Sequence, residues 1–89
     1  MCRNITTLRG LEPEATDEEI EAASRQFVRK ISGMTKPSKA NEERFEAAVR
    51  DIAAISTALL ADLPPRKNPP PTEPPLRRIA RQKAEAAAV

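Results

Sequence analysis

Apolar residues recur with a helical period in two long stretches of this chain. Between Thr16 and Gly33, Ile20, Ala23, Phe27, Val28 and Ile31 lie three or four positions apart, which gathers them on one helix face. Thr16 followed by Glu19 is a capping box, in which the threonine hydroxyl accepts from the Glu19 amide while the Glu19 carboxylate reaches back. Asp17, Glu18 and Glu19 suit the positive end of the helix dipole, Arg25, Arg29 and Lys30 lie toward the negative end, and Gly33 is a natural stop. The pattern predicts a helix over 17–32. A second stripe, Phe45, Val49, Ile52, Leu59 and Leu63, widened by Ala48, Ile55 and Leu60, predicts a helix over 39–63. Ser38 or Asn41 is placed to cap it, Glu42 and Glu43 occupy its first turns, and Pro64-Pro65 ends it. Two such helices joined by a short loop bury each other's faces as an antiparallel hairpin.

Ahead of the hairpin, Ile5, Leu8 and Leu11 recur every third residue between a capping Asn4 and a terminating Gly10. That spacing predicts one or two helical turns over 5–9, with the apolar side lying across the hairpin. About fifteen sizeable apolar side chains would then share a core, a number that gives marginal stability once chain ordering is subtracted. Beyond residue 63 the pattern changes. Seven of the twelve residues in PPRKNPPPTEPP are proline, which excludes helix and sheet interior and predicts polyproline II or disorder. LRRIARQKAEAAAV then carries Leu76, Ile79, Ala80 and Ala84 on one face, a nascent helix over 76–88 that needs a partner to persist. The fold class expected is all-α: a helical hairpin domain over 1–63 and a Pro-rich tail over 64–89.

Charge sharpens this division. The 89 residues hold 15 basic and 13 acidic side chains, net +2. Residues 64–89 contribute six basic residues against two acidic ones, net +4, and residues 1–63 the remaining nine against eleven, net −2. Composition narrows the chemistry further. There is no His, so no imidazole base or His-based metal site, and one Cys permits neither an intrachain disulfide nor a paired-cysteine metal knuckle. Two isolated glycines cannot form a phosphate-cradling loop. No metal or cofactor is expected. No apolar run approaches the roughly 18 residues of a membrane span, the opening MCRNITTLRG does not read as a signal peptide, and a lone thiol suits the cytoplasm.

Two resemblances emerge from these residues. MCRNI at the start, ATDEEI, RKISG and TKPSKANEERFEAAV, spanning roughly residues 1–60, resemble a family of short uncharacterised bacterial proteins, a domain of unknown function. The resemblance implies a small helical protein, supplies no activity, and leaves the Pro-rich tail outside. More distantly, ITTLRGLEPEATDEEIEAASRQFVRKISG and EERFEAAVRDIAAISTALL are similar to a J-domain, in which a short helix precedes a capped acidic helix and a hairpin partner. A J-domain has His-Pro-Asp after its second helix, where this chain has Ser32-Gly33-Met34. The resemblance therefore implies the hairpin architecture without stimulation of a chaperone ATPase.

Four groups of side chains are candidates for function. Arg25, Arg29, Lys30, Lys36 and Lys39 form a basic face, and Lys36-Pro37-Ser38-Lys39 at the mouth of the second helix offers amides, ammonium groups and the Ser38 hydroxyl to an anion; the alternative is a solvated turn in which Ser38 caps. In the tail, Arg66, Lys67, Arg77, Arg78, Arg81 and Lys83 are able to neutralise phosphates without reading sequence, although no aromatic residue there offers a stacking platform. Cys2 beside Arg3 has the residues of an N-terminal nucleophile or a redox thiol, but a chain this small leaves little room for a substrate cleft. Asp17, Glu18 and Glu19 point around a helix rather than converging, so they read as cap residues and not as metal ligands.

The function expected is a non-enzymatic binding or adaptor module whose basic face meets an acidic protein or a phosphate-bearing partner. A nucleic-acid- or ribosome-associated accessory protein acting through the tail is the alternative, and a Cys2-dependent enzyme or redox protein is a third. A protein partner, no membrane, and a homodimer that covers leftover apolar surface complete the expectation.

Overall fold

The computed structural model describes residues 4–87, and these fold as three helices joined by irregular chain. Helix α1 runs Asp17–Ser32. Both halves of its capping box form: the Glu19 amide donates to Thr16 Oγ1 at 3.1 Å and the Thr16 amide to Glu19 Oε1 at 2.8 Å. At the other end Gly33 adopts the left-handed conformation, φ 72°, and its amide donates to the Arg29 carbonyl at 3.0 Å.

Helix α2 runs Glu42–Asp62, beginning three residues later than the apolar pattern predicts. Residues 39–41 instead form a turn closed by the Asn41 amide on the Ser38 carbonyl at 2.9 Å. Neither expected cap operates. Asn41 makes no side-chain cap hydrogen bond, and its side-chain amide donates to Ser38 Oγ at 3.2 Å, which occupies both residues with each other.

α1 and α2 pack on one another antiparallel. Near the connecting loop, Val28 meets Phe45 and Val49; at the far end, Asp17 and Ile20 line the same cleft as Thr57 and Leu60. Val28, Phe45 and Val49 are the buried centre, with Met34, Ala48 and Ile52 packed around them. Ile20, Leu11 and Pro74 are also buried. This core is much smaller than the sequence pattern predicts. Two helices cover only one arc of each other, so Phe27, Ile31, Ile55 and Leu59 stay between 45% and 71% exposed.

The helical turns expected over 5–9 do not form. Residues 4–16 carry no helix. Leu8 and Leu11 still face the hairpin, and the chain turns at Gly10, φ 86°, where the Leu11 amide reaches the Leu8 carbonyl at 3.4 Å. So short a segment, with two threonines and a glycine, gains too few helical hydrogen bonds to offset nucleation. Its polar groups find distant partners instead: the Asn4 amide donates to Gln26 Oε1 at 2.7 Å, and Thr6 and Thr72 share a hydroxyl contact at 2.7 Å.

The Pro-rich segment is neither helix nor strand over 63–74, but it is not a free tail. Arg9 donates through Nε and Nη2 to the Pro64 carbonyl, at 2.9 and 2.7 Å. Gly10 lies so close to Arg66 that a Cβ built there would stand 2.7 Å from the Arg66 Cβ. Pro74 is fully buried. Helix α3, Pro75–Ala87, follows and packs extensively against neither α1 nor α2. The N-terminal segment therefore sits between the hairpin and a C-terminal arm, and joins them.

Candidate functional site

The most enclosed polar constellation of the described residues joins this arm to α1. Arg77, in the first turn of α3, donates from Nε to Glu19 Oε2 at 2.7 Å and from Nη2 to Glu19 Oε1 at 3.1 Å. The same Nη2 reaches the carbonyls of Pro13 and Glu14. The Glu19 side chain is 3% exposed and that of Arg77 16%. Burial alone would push the Glu19 carboxyl up. The Arg77 hydrogen bonds and charge, with the Thr16 amide and hydroxyl, outweigh it and hold the group below its ordinary value. One carboxylate thus serves as helix cap and as anchor for a helix 58 positions away. This assigns Arg77 an internal role, in contrast to the phosphate contact expected of it.

Arg25 is also committed. Its guanidinium takes a two-pronged grip on Glu46, Nη1 to Oε2 at 2.7 Å and Nη2 to Oε1 at 2.8 Å, and reaches Glu21 at 3.0 Å. Its Cζ stands 5.9 Å from the Phe45 ring centroid, within cation–π range. The two carboxylates raise its pKa, and Arg25 in turn holds Glu46 below its usual range. This arrangement ties α1 to α2 beside the core, which removes Arg25 from the set of free cations. Arg81 pairs with Glu73 at 2.6 Å within the arm.

The remaining sequence candidates stay exposed. Arg29, Lys30, Lys36 and Lys39 cluster at the loop end of the hairpin, and none of them makes an ion pair or side-chain hydrogen bond among the described residues. Ser38, also exposed, accepts from Asn41. Ile31, 69% exposed, and Phe27, 45% exposed, lie on the same stretch of α1. In the arm, Arg66, Lys67, Arg78 and Lys83 are exposed and unpaired in the same sense. Cys2 lies outside the described residues.

A cleft of about 450 Å³ opens at the opposite end of the hairpin, floored by Leu8, Leu11, Ile20, Leu60 and Leu63. Two polar groups at its rim already serve the fold: Arg9 holds the Pro64 carbonyl, and the Thr57 hydroxyl donates to the Ala53 carbonyl at 2.8 Å. Among the described residues every buried side-chain nitrogen and oxygen has a hydrogen-bond partner, and no three Cys, Asp or Glu side chains gather as a metal site. No described helix is long and apolar enough to cross a membrane. What the surface provides is binding chemistry: cations beside exposed apolar side chains at one end, and a shallow apolar cleft at the other.

Both Arg77–Glu19 and Arg25–Glu46 lie beyond the reach of sequence spacing. The capping motif accounts for Glu19 completely, so nothing in the local pattern shows that its second oxygen faces a distant arginine. Arg25 and Glu46 are 21 positions apart, and only the packing of α1 on α2 brings them together.

Neither the curated proteins nor the solved structures contain a significant match to this chain. A family model matches residues 1–85, which takes in the Pro-rich segment and nearly all of α3, contrary to the expectation that the tail lies outside the resemblance. With almost its whole length matched, arm and anchor included, the chain belongs to the family described as uncharacterized conserved protein (DUF2277).

Proposed function

We propose that this protein is a small non-enzymatic binding module that receives an acidic, amphipathic segment of a partner protein at the loop end of its hairpin. The observation that carries this reading is the group Arg29, Lys30, Lys36 and Lys39, none of which makes an ion pair or side-chain hydrogen bond among the described residues, on the same end of the hairpin as exposed Ile31 and Phe27. Unpaired cations around apolar side chains fit a helix with a carboxylate-rich margin, because its apolar face is buried while its charges remain at the wet rim. The same cations also suit a phosphate-bearing segment, but the two apolar side chains would then stay uncovered. A single Cys suits a reducing compartment, and the reading places the protein in the cytoplasm.

Four unpaired cations in the arm, Arg66, Lys67, Arg78 and Lys83, support the alternative of nucleic-acid association. They are fewer than the six that composition offers, and they are accompanied by no aromatic side chain. A titration separates the two. A labelled amphipathic peptide with a Glu-rich margin is expected to bind the full chain and to bind at least tenfold more weakly to Lys30→Glu/Lys36→Glu. An RNA oligomer that binds with a steep salt dependence, lost on Arg66→Glu/Lys67→Glu and indifferent to the loop substitutions, would overturn the proposal in favour of the nucleic-acid reading.

A further inference from the structure

The two sides of the α1–α2 contact differ in character. On α1, measured from the mean direction of buried Ile20, Ser24 and Val28, Arg25 lies about 100° to one side and Phe27 about 60° to the other. On α2, measured from Phe45, Val49 and Ile52, Glu46 lies about 90° to one side, and Leu59 and Ile55 about 50° and about 90° to the other. The Arg25–Glu46 bridge shows which sides correspond. It crosses a groove lined by charge, with Asp17, Glu21, Arg50 and Asp51 beside it. Phe27, Ile55 and Leu59 therefore share the opposite groove, where they stay 45%, 71% and 56% exposed. Ile31, one turn beyond Phe27, extends the same apolar surface to the loop end.

Charges border this apolar groove in a fixed order. Lys30 and Arg44, about 120° and about 110° from the contact direction on their helices, flank it at the loop end. Asp62, on the same line of α2 as Arg44, flanks it at the far end. None of the three makes an ion pair among the described residues. A helix laid in the groove completes a three-helix bundle, covers the exposed apolar side chains, and meets cations at one end and a carboxylate at the other. Carboxylates are favoured at a helix N-terminus and cations at its C-terminus, so the occupant that matches these charges runs parallel to α2, its first turn at the loop end. From Arg44 to Leu59 is about 22 Å, the length of a helix of about 16 residues. Resting on the loop-end reading above, we infer that the acidic segment received there continues along the Phe27–Ile55–Leu59 groove as an amphipathic helix of about 16 residues, with carboxylates in its first half and Lys or Arg in its last turn. The chain's own α3 is held elsewhere, by Arg77 on Glu19.

Fluorescence anisotropy with the full chain and two labelled peptides of about 16 residues tests this. The peptides share composition and apolar face; one carries Glu in its first half and Lys in its last turn, the other the reverse. The first is expected to bind at least about tenfold more tightly than the second. Ile55→Glu and Leu59→Glu, both at exposed positions, are each expected to weaken it about thirtyfold, with helicity unchanged by circular dichroism. Asp62→Lys is expected to weaken it about fivefold, and a peptide with Glu in place of the last-turn Lys to restore the loss. Lys in place of Asp62 suits the C-terminal end of α2, so that loss cannot be ascribed to a weakened helix. Binding that is lost in Lys30→Glu/Lys36→Glu, yet equal for both peptides and unchanged in Ile55→Glu, leaves the loop-end reading standing and overturns the groove. Failure of both peptides to bind overturns the two together. Self-association of the full chain in sedimentation equilibrium, abolished by Ile55→Glu, gives the groove to a second copy and likewise overturns the proposal.

Discussion

Replacing Arg77 by alanine is expected to release the C-terminal arm and leave the hairpin folded. The substitution strips Glu19 of its charged partner, and of the three hydrogen bonds to its carboxylate only that from the Thr16 amide to Oε1 remains. A buried carboxylate that kept its position after losing its arginine would cost about 3–5 kcal/mol. Here the arm can move aside and admit water, because α3 packs extensively on neither of the other helices. The cost is then limited to that of an unmade hydrogen-bonded anchor, about 1–3 kcal/mol. Once released, a 13-residue helix is too short to persist in water, so its amides report the opening directly. Hydrogen exchange over 75–87 should accelerate roughly 5- to 150-fold, the factor that 1–3 kcal/mol sets. Amides of α1 and α2 should change much less. Glu19→Gln keeps the acceptor for the Thr16 amide and removes the charge, and should give a smaller acceleration. Unchanged α3 exchange in Arg77→Ala, or α1 and α2 exchanging in step with α3, would falsify the anchor.

The anchor should also open in acid. Glu19 titrates below its ordinary value of 4.5 when folded, so its contribution is complete above that value and is lost as pH falls through the lower, folded pKa. Glu73, held low by Arg81, acts in the same direction; loss of α3 chemical-shift helicity on acidification should therefore flatten in Glu19→Gln/Glu73→Gln, and an unaltered acid profile would count against the assignment. Thr16→Ala removes the hydroxyl that accepts from the Glu19 amide and should lower stability in urea by about 1 kcal/mol. The two glycines should differ. Gly33→Ala meets no neighbour and bears only the strain of its positive φ, about 1 kcal/mol, whereas Gly10→Ala adds a clash with Arg66 and should also loosen the arm, read by α3 exchange. Phe45→Ala, at a site 3% exposed, should cost about 3–5 kcal/mol, enough to abolish cooperative unfolding in a core this small.

What could be read in the sequence was local in origin. The bounds of α1 follow from Thr16, Glu19 and Gly33, groups within a turn of the backbone they cap, and the structure places the helix where they predict. The end of α2 follows from Pro64-Pro65. Its start does not follow from the sequence, because Ser38 and Asn41 each have a capping side chain, and which partner such a side chain takes depends on the loop's conformation. Residues 5–9 misled for a related reason: a spacing of three describes a helix face, but equally a few side chains that reach one surface from an irregular chain. Charge counts located the surplus of cations without showing which were spent internally, and Arg25 and Arg77 proved to be spent.

By itself, then, the sequence determined the elements: a capped amphipathic helix, a second amphipathic helix ended by a proline break, and a third helical segment whose partner it does not name. Helix nucleation, capping and proline geometry act over a few residues, and composition and spacing record them. The tertiary structure alone decided that the Pro-rich segment is an anchored arm and that a capping carboxylate is its anchor. Glu19 and Arg77 meet because the N-terminal segment turns at Gly10 and passes between hairpin and arm, and that path is the joint result of contacts dozens of positions apart. No local spacing encodes it.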